Sequence, residues 1–376
     1  MKDVFDVKLA DAQATRVQPI APKHFDLMRY HDYESALLER CRSFWEGDNG
    51  VLVYRRMRVA EVFAADSRSK ERSLAWQLGA LDASMRFKAD VPNFLEPWHG
   101  LGTVASAFGF DYLWEPGQAP AVDGKFGGVK ELLQADIRPV AETNIGRYTL
   151  EMTEYFLDKT RGMLPMSYCD VQSPLNTLSN VIHSDQFYTD FYEHPDEMHR
   201  AFNIASLLLS GFLCRQRDMI GDALASPGHG FASARCFCGL GMSDDTAIMM
   251  PPDIYDDFCI PAMVQTGSAF GGSVFHSCGN WSNRREQVVK IPNIRMADGA
   301  FSLATDPGAN DPEGFADTFA HTGVVLNTRI VGSQELVEEK VRKLWRPGMK
   351  LIVVTYCETP AEQEALYDRI HRICDE

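Results

Sequence analysis

The stretch Gly272-Ser273-Val274-Phe275-His276-Ser277-Cys278-Gly279-Asn280 decides how this chain folds. Its first six residues are an apolar run that reads as a short buried strand, and chemically active side chains gather where the strand ends. An amphipathic segment over 283–289 and a second apolar run over 294–300 follow. Strand, helix, strand is the unit of a parallel sheet with helical crossovers. Outward from this unit the same alternation holds from about residue 92 to the C-terminus. Strands are expected over 163–171, 235–242, 272–277, 294–300, 323–329 and 350–357, with helices over 149–159, 187–213, 252–269, 283–289, 312–320, 333–345 and 361–374. Pro312 and Ser333 sit where helices start. Thr359 and Glu362, three apart with Pro360 between them, form a capping-box pattern.

A chain of such units closes into a barrel or lies open as a doubly wound sheet. No Gly-x-Gly-x-x-Gly loop follows an early strand, so the nucleotide fingerprint of the open sheet is missing. Polar residues also collect at the C-terminal end of nearly every expected strand: Tyr168, Asp170 and Gln172; Asp244 and Asp245; His276, Cys278 and Asn280; Asp298; Asn327 and Arg329; Cys357 and Glu358. In a barrel that edge is where catalysis gathers. The reading is an α/β fold, a (β/α)8 TIM-type barrel with an N-terminal helical extension. It is taken as a single domain over 1–376, with the extension over 1–92 and the barrel over 93–376. The extension carries helical stretches over 33–45 and 70–87 around the apolar segment Gly50–Arg55.

The 376 residues, 45% of them hydrophobic, suffice for a large core, and the formal charge of −15 argues against nucleic acid and anionic membranes as partners. The first residues show no secretion signal, and no apolar run is long enough to span a bilayer. A cytoplasmic location is expected. The nine scattered cysteines read as reduced thiols. Cys41, Cys214, Cys259 and Cys374 fall in helical segments and read as packing residues. Cys236 and Cys238 share one face of a strand but have no accompanying histidine, so packing is the preferred reading for them too.

His276 and Cys278 are two apart at a strand end, so alternation turns both to the same side. Gly279 then permits a tight exit. Cys357 ends a later strand, which a barrel brings to the same mouth. One nitrogen and two sulfurs suit zinc, and three protein donors leave a tetrahedral ion one open position. Read from the residues alone, a hydrogen-bonded core histidine with two packing cysteines competes with this.

The segment from Ser243-Asp244-Asp245-Thr246-Ala247 to Phe258, with Gly271–Asn280 and with Asp170-Val171-Gln172-Ser173-Pro174-Leu175, resembles the uroporphyrinogen decarboxylase superfamily. The similarity runs from about Asn93 to the C-terminus. His-x-Cys with a distant Cys resembles its zinc-dependent methylcobamide:coenzyme M methyltransferase branch. The resemblance implies that His276, Cys278 and Cys357 bind Zn2+, and that the zinc binds the thiol of a small acceptor, the thiolate then attacking the methyl group of a methylcorrinoid. It matches Asp244 to the family's Asp-x-x-Ala pattern, with Ala247 in register. Asp244 and Asp245 are the expected catalytic carboxylates, with a helix-capping role as the competing reading. Asp170, Gln172, Asn280 and Arg329 are expected at the substrate, Arg329 on an anionic head or in a rim salt bridge.

The decarboxylase branch carries an Arg-Gln-Ala-Gly-Arg segment for substrate carboxylates. Tyr54-Arg55-Arg56-Met57-Arg58-Val59 lacks that pattern. A decarboxylase or lyase acting on another small carboxylated substrate remains the alternative. No Asp-x-His-x-x-Gly corrinoid segment is present, and Asp196-Glu197-Met198-His199 does not fit its spacing. The methylcorrinoid is therefore expected on a separate corrinoid protein. A homodimer is compatible with this reading.

Overall fold

The computed structural model describes residues 12–115 and 118–376, so the extreme N-terminus read for a secretion signal lies outside the described residues. Six strands form one parallel sheet: β1 (Gly50–Arg55), β2 (Leu240–Ser243), β3 (Ser273–His276), β4 (Ile294–Ala300), β5 (Val325–Arg329) and β6 (Lys350–Thr355). The sheet runs β2-β3-β4-β5-β6-β1, and β1 pairs with β6 from Gly50↔Lys350 to Arg55↔Thr355. The sheet thus reaches into the first 92 residues.

Two further staves complete the ring through backbone bonds too sparse to make ladders. At residues 90–95, Asp90 donates its N–H to the Val53 carbonyl at 2.8 Å, and Leu95 is bridged to Met166. At residues 164–172, Met166 is also bridged to Leu224, and Gln172 to Ser243 of β2. Pro165, with no N–H, interrupts that stave as a donor, although its carbonyl accepts from Leu95 at 2.8 Å. The fold is the (β/α)8 barrel, with a helical N-terminal segment.

The helices that cover it are α1 (Leu27–Glu46), α2 (Lys70–Ser84), α3 (Asn144–Thr160), α4 (Pro174–Val181), α5 (Ser184–Glu193), α6 (Pro195–Ile220), α7 (Ile260–Gly267), α8 (Arg285–Val289), α9 (Phe315–Phe319), α10 (Gln334–Leu344) and α11 (Pro360–Asp375). Asp26, Ser69, Thr143, Ser173, Ser333 and Thr359 cap α1, α2, α3, α4, α10 and α11 by accepting a backbone N–H. The long helix expected over 187–213 breaks at His194, because Pro195 can open a helix but cannot sit inside one. No helix among the described residues is long and apolar enough to cross a membrane.

Alternation sorts the strand residues into two cores. Val53, Leu240, Met242, Phe275, Ala297, Leu326, Leu351 and Val353 pack in the cluster that includes the surrounding helices. Leu52, Tyr54, Val274, Met296, Val325, Ile352 and Val354 share the other, inside the barrel, with Phe231. The polar residues that continue the inner set beyond its apolar layer meet at the mouth.

Candidate active site

Following the inner parity past the apolar layer gives Arg56 after Tyr54, Ser243 and Asp245 on β2, and His276 with Cys278 on β3. It gives Asp298 on β4 and Arg329 on β5 in the same way. All of them line one cavity of about 320 Å³. The same cavity is lined by Glu96, Trp98, Asp170, Gln172 and His229, with Phe63 and Phe231, and the His229 and Phe231 rings lie 5.4 and 5.6 Å from that of His276.

One corner gathers three metal-capable atoms. Ligand atoms of Asp245, His276 and Cys278 all lie within 4.8 Å of one another. His276 Nε2 is 3.3 Å from Cys278 Sγ and 3.8 Å from Asp245 Oδ1. Asp245 is fixed from two sides: Oδ1 accepts the Cys278 backbone N–H at 2.6 Å and Oδ2 accepts the Ser243 hydroxyl at 2.6 Å. The far side of the imidazole is held as firmly. His276 Nδ1 lies 2.6 Å from Asp298 Oδ2, which also accepts Arg329 Nε at 2.9 Å, and the Asn327 amide donates to Asp298 Oδ1. With Nδ1 bound to a carboxylate, Nε2 is the nitrogen presented to Cys278 and Asp245.

The electrostatics favour positive charge here. Burial alone disfavours a charged imidazole, but Cys278 and Asp298 outweigh it and push the His276 pKa up to about 10. Asp298 is fully buried, yet Arg329 and His276 hold its carboxyl well below the usual range. Burial opposes ionisation of Asp245 as well, and His276, Ser243 and the Cys278 N–H override it. A buried imidazole, a partly buried carboxylate and an exposed thiol at these distances make a corner that could hold a metal ion.

Cys357 is not part of this group. It follows Leu351, Val353 and Thr355 on the outer face of β6, and packs against the helical cluster. Burial pushes its thiol pKa up, with Arg55 and Glu362 as its charged neighbours. The third donor in reach of His276 and Cys278 is Asp245. Asp244 has the outer parity of β2 and lies under the site, accepting from the Ser173 hydroxyl and, at 2.6 Å, from Tyr255. Burial pushes its carboxyl up to about 6. Asp170 and Gln172 line the cavity, and Gln172 Nε2 donates to Asp170 Oδ1 at 2.6 Å. Asn280 is exposed and caps its own turn through Ser282 N–H at 3.0 Å. Arg329 makes the expected salt bridge, to Asp298, and also lines the cavity. Cys236 and Cys238 sit elsewhere, their thiols on the Leu38 and Gly271 carbonyls.

Sequence reasoning did not single out Arg56, Glu96 or His229. Arg56 was detectable by counting two residues on from Tyr54. His229 is held at φ 51° between Gly228 and Gly230, both also at positive φ, a backbone run that marks a shaped turn. Its Nδ1 is 3.5 Å from Asp170 Oδ2.

Residues 99–364 match the family model described as uroporphyrinogen decarboxylase (URO-D). No curated protein matches the chain. Among solved structures, a methyltransferase from Methanosarcina mazei shares the fold with a TM-score of 0.64, covering 89% of this chain and 98% of that one at 13% sequence identity.

Proposed function

The chain belongs to the uroporphyrinogen decarboxylase family, and we propose that within it this protein is a zinc-dependent methyltransferase that moves a methyl group between a methylcorrinoid on a separate protein and a small thiol. The observation that carries the reading is the convergence of Asp245, His276 and Cys278 within 4.8 Å at the barrel mouth. Imidazole nitrogen, thiolate sulfur and carboxylate oxygen are all ordinary zinc donors, and three of them leave room for a substrate atom. A carboxylate behind the ligating histidine, as Asp298 stands behind His276, is the usual support of such a site. The similarity to a methyltransferase structure adds the shared fold.

His276, Cys278 and Asp245 would hold the ion in this arrangement, with Cys357 as the rival third donor. Bound zinc supplies Lewis acidity, which makes a neighbouring thiol a thiolate near neutral pH. Asp298 keeps the proton on Nδ1 of His276 and leaves Nε2 free to donate its pair. The thiol proton would pass to solvent as the thiolate forms, since both oxygens of Asp245 are engaged by Ser243 and the Cys278 N–H. In the transfer a carbon–sulfur bond forms as the cobalt–carbon bond breaks, and the bonding pair stays with the corrinoid.

Purified protein should carry about one zinc per chain under reducing conditions, and a content below about 0.2 would overturn the reading. Thiol-dependent demethylation of methylcobalamin, followed by cobalamin absorbance, should be lost in Cys278→Ala. A second reading has its own observation. Glu96, a buried carboxylic acid beside Asp170 and facing Arg56, suits protonation of a carbon after loss of carbon dioxide. Turnover of a carboxylated substrate by metal-free protein would favour that decarboxylase reading.

A further inference from the structure

The cavity beside the metal donors has a carboxylate wall and a guanidinium wall, close enough to influence each other but without an ion-pair contact among the described residues. On one stands Glu96, only 7% exposed, with no hydrogen bond or ion pair to its carboxylate among the described residues, although the charges of Arg56 and Arg58 reach it. Beside it Asp170 is satisfied by neutral donors: Trp98 Nε1 at 3.0 Å and Gln172 Nε2 at 2.6 Å. The His229 ring, its Nδ1 3.5 Å from Asp170 Oδ2, has its pKa lowered by burial, which disfavours the charged form. Two carboxylates therefore face the cavity without a cation in contact. Burial, with Asp170 next to it, pushes the Glu96 carboxyl up to about 7 against the opposing pull of Arg56 and Arg58.

The other wall is the reverse. Arg329 is 6% exposed; its Nε is committed to Asp298, and its Nη2 has no hydrogen-bond partner. Arg56 contacts the neutral Tyr356 hydroxyl, makes no ion pair within the described residues, and lies close enough to Arg329 for the two to repel. A buried donor without an acceptor and a buried carboxylate without a donor are both unfavourable until something bridges them. Trp98 and Phe231 give the space between an apolar lining.

We propose that the acceptor is a zwitterionic amino-acid thiol of the cysteine–homocysteine class, with its carboxylate on Arg56 and Arg329, its ammonium on Glu96 and Asp170, and its thiol at the Asp245–His276–Cys278 corner. The third anchor rests on the zinc–thiol reading above; the first two do not. The charges fix which thiols enter. A monoanionic thiol would leave Glu96 and Asp170 facing each other, and an uncharged one would leave both walls unpaired.

The test is calorimetric titration of the full chain with L-homocysteine and three analogues that each lack one group. These are 4-mercaptobutyrate without the ammonium, 3-mercaptopropylamine without the carboxylate, and L-2-aminobutyrate without the thiol. L-Homocysteine should bind at least about tenfold tighter than either charge-deleted thiol. Glu96→Gln should weaken L-homocysteine but leave 4-mercaptobutyrate unchanged, and Arg56→Met should weaken L-homocysteine but leave 3-mercaptopropylamine unchanged. That crossed pattern cannot arise from misfolding. Absence of L-homocysteine binding, or equal binding of 4-mercaptobutyrate, overturns the proposal. Metal-dependent binding of every thiol alike overturns it while leaving the zinc reading intact. Binding of L-homocysteine and L-2-aminobutyrate with equal affinity, unaffected by chelator, supports the two charged anchors and removes the zinc–thiol one.

Discussion

Glu96 shows what the site costs the fold. Below its ordinary pKa of 4.5 the group is protonated in both folded and unfolded chains and contributes nothing to pH dependence. Between 4.5 and about 7 the unfolded chain ionises first, so stability falls as pH rises, and above 7 the loss is complete. That gap corresponds to about 3 kcal/mol. Glu96→Gln should therefore raise the unfolding free energy by up to about 3 kcal/mol at pH 8 and by almost nothing at pH 4.5. Urea titrations at the two pH values check this, and an equal gain at both would contradict it. Asp298→Asn tests the support of the histidine. An amide can donate to Nδ1 and so reverse the tautomer, and zinc affinity should fall about 10- to 100-fold in competition with a chelator. The third donor separates sequence from structure most sharply. Cys357 ends a strand, and strand ends do meet at the mouth. Which face a strand-end residue takes depends on parity, and parity is legible only once Ile352 and Val354 are known to point inward. Counting on from Val354 puts Tyr356 inside and Cys357 outside, whereas counting on from Gly241 puts Asp245 inside. Asp245→Ala should lower zinc content as Cys278→Ala does, while Cys357→Ala should leave it near one per chain; the opposite pattern would restore Cys357 to the site.

At the scale of elements, capping chemistry was the most readable signal because it is local. Thr359 accepts the Glu362 N–H at 3.2 Å and Glu362 accepts the Thr359 N–H at 3.1 Å, the reciprocal pair expected from the spacing alone. Thr359→Ala should destabilise the protein by about 1 kcal/mol, measured as a lower denaturant midpoint at unchanged slope. A loss below about 0.3 kcal/mol would mean that packing of Leu366 and Ile370 alone sets the start of α11. Ser333 behaves alike at α10, its hydroxyl oxygen accepting the Leu336 N–H at 3.3 Å. Pro312 does not start a helix: α9 begins only at Phe315, after Gly314 at φ 79°. Strands fared differently, since a strand's partners are remote. Residues 163–171 have the right composition, but the segment shares its bonds between Leu224 and Ser243 and never builds a ladder with either. No property of the segment itself announces that division.

At the scale of the whole molecule the question is how the ring closes. The alternation beyond residue 92 made the barrel legible, but β1 was hidden, because Gly50–Arg55 lies between two helical stretches and lacks a strand neighbour in sequence. Its place is fixed by β6 on one side, through a full parallel ladder, and by residues 90–95 on the other, where ladder bonds are few. Asp90 makes up the deficit. Its buried Oδ2 accepts the Val53 N–H at 2.7 Å and His371 Nε2 at 2.9 Å, while Oδ1 takes the Tyr367 hydroxyl at 2.6 Å and Arg40 Nε at 2.9 Å. One carboxylate thus joins α1, β1 and α11 at the weakest seam of the ring. Removing it leaves a buried N–H unpaired, strips Arg40 of its counter-charge and takes away the partner of His371 Nε2. Asp90→Ala should cost about 3–5 kcal/mol. Asp90→Asn, which keeps an acceptor for Val53 but no charge, should cost less. A wild-type unfolding midpoint in Asp90→Ala would show that the β1–β6 ladder holds the barrel shut by itself. A loss shared equally by both variants would show that charge, rather than the Val53 bond, makes the seam.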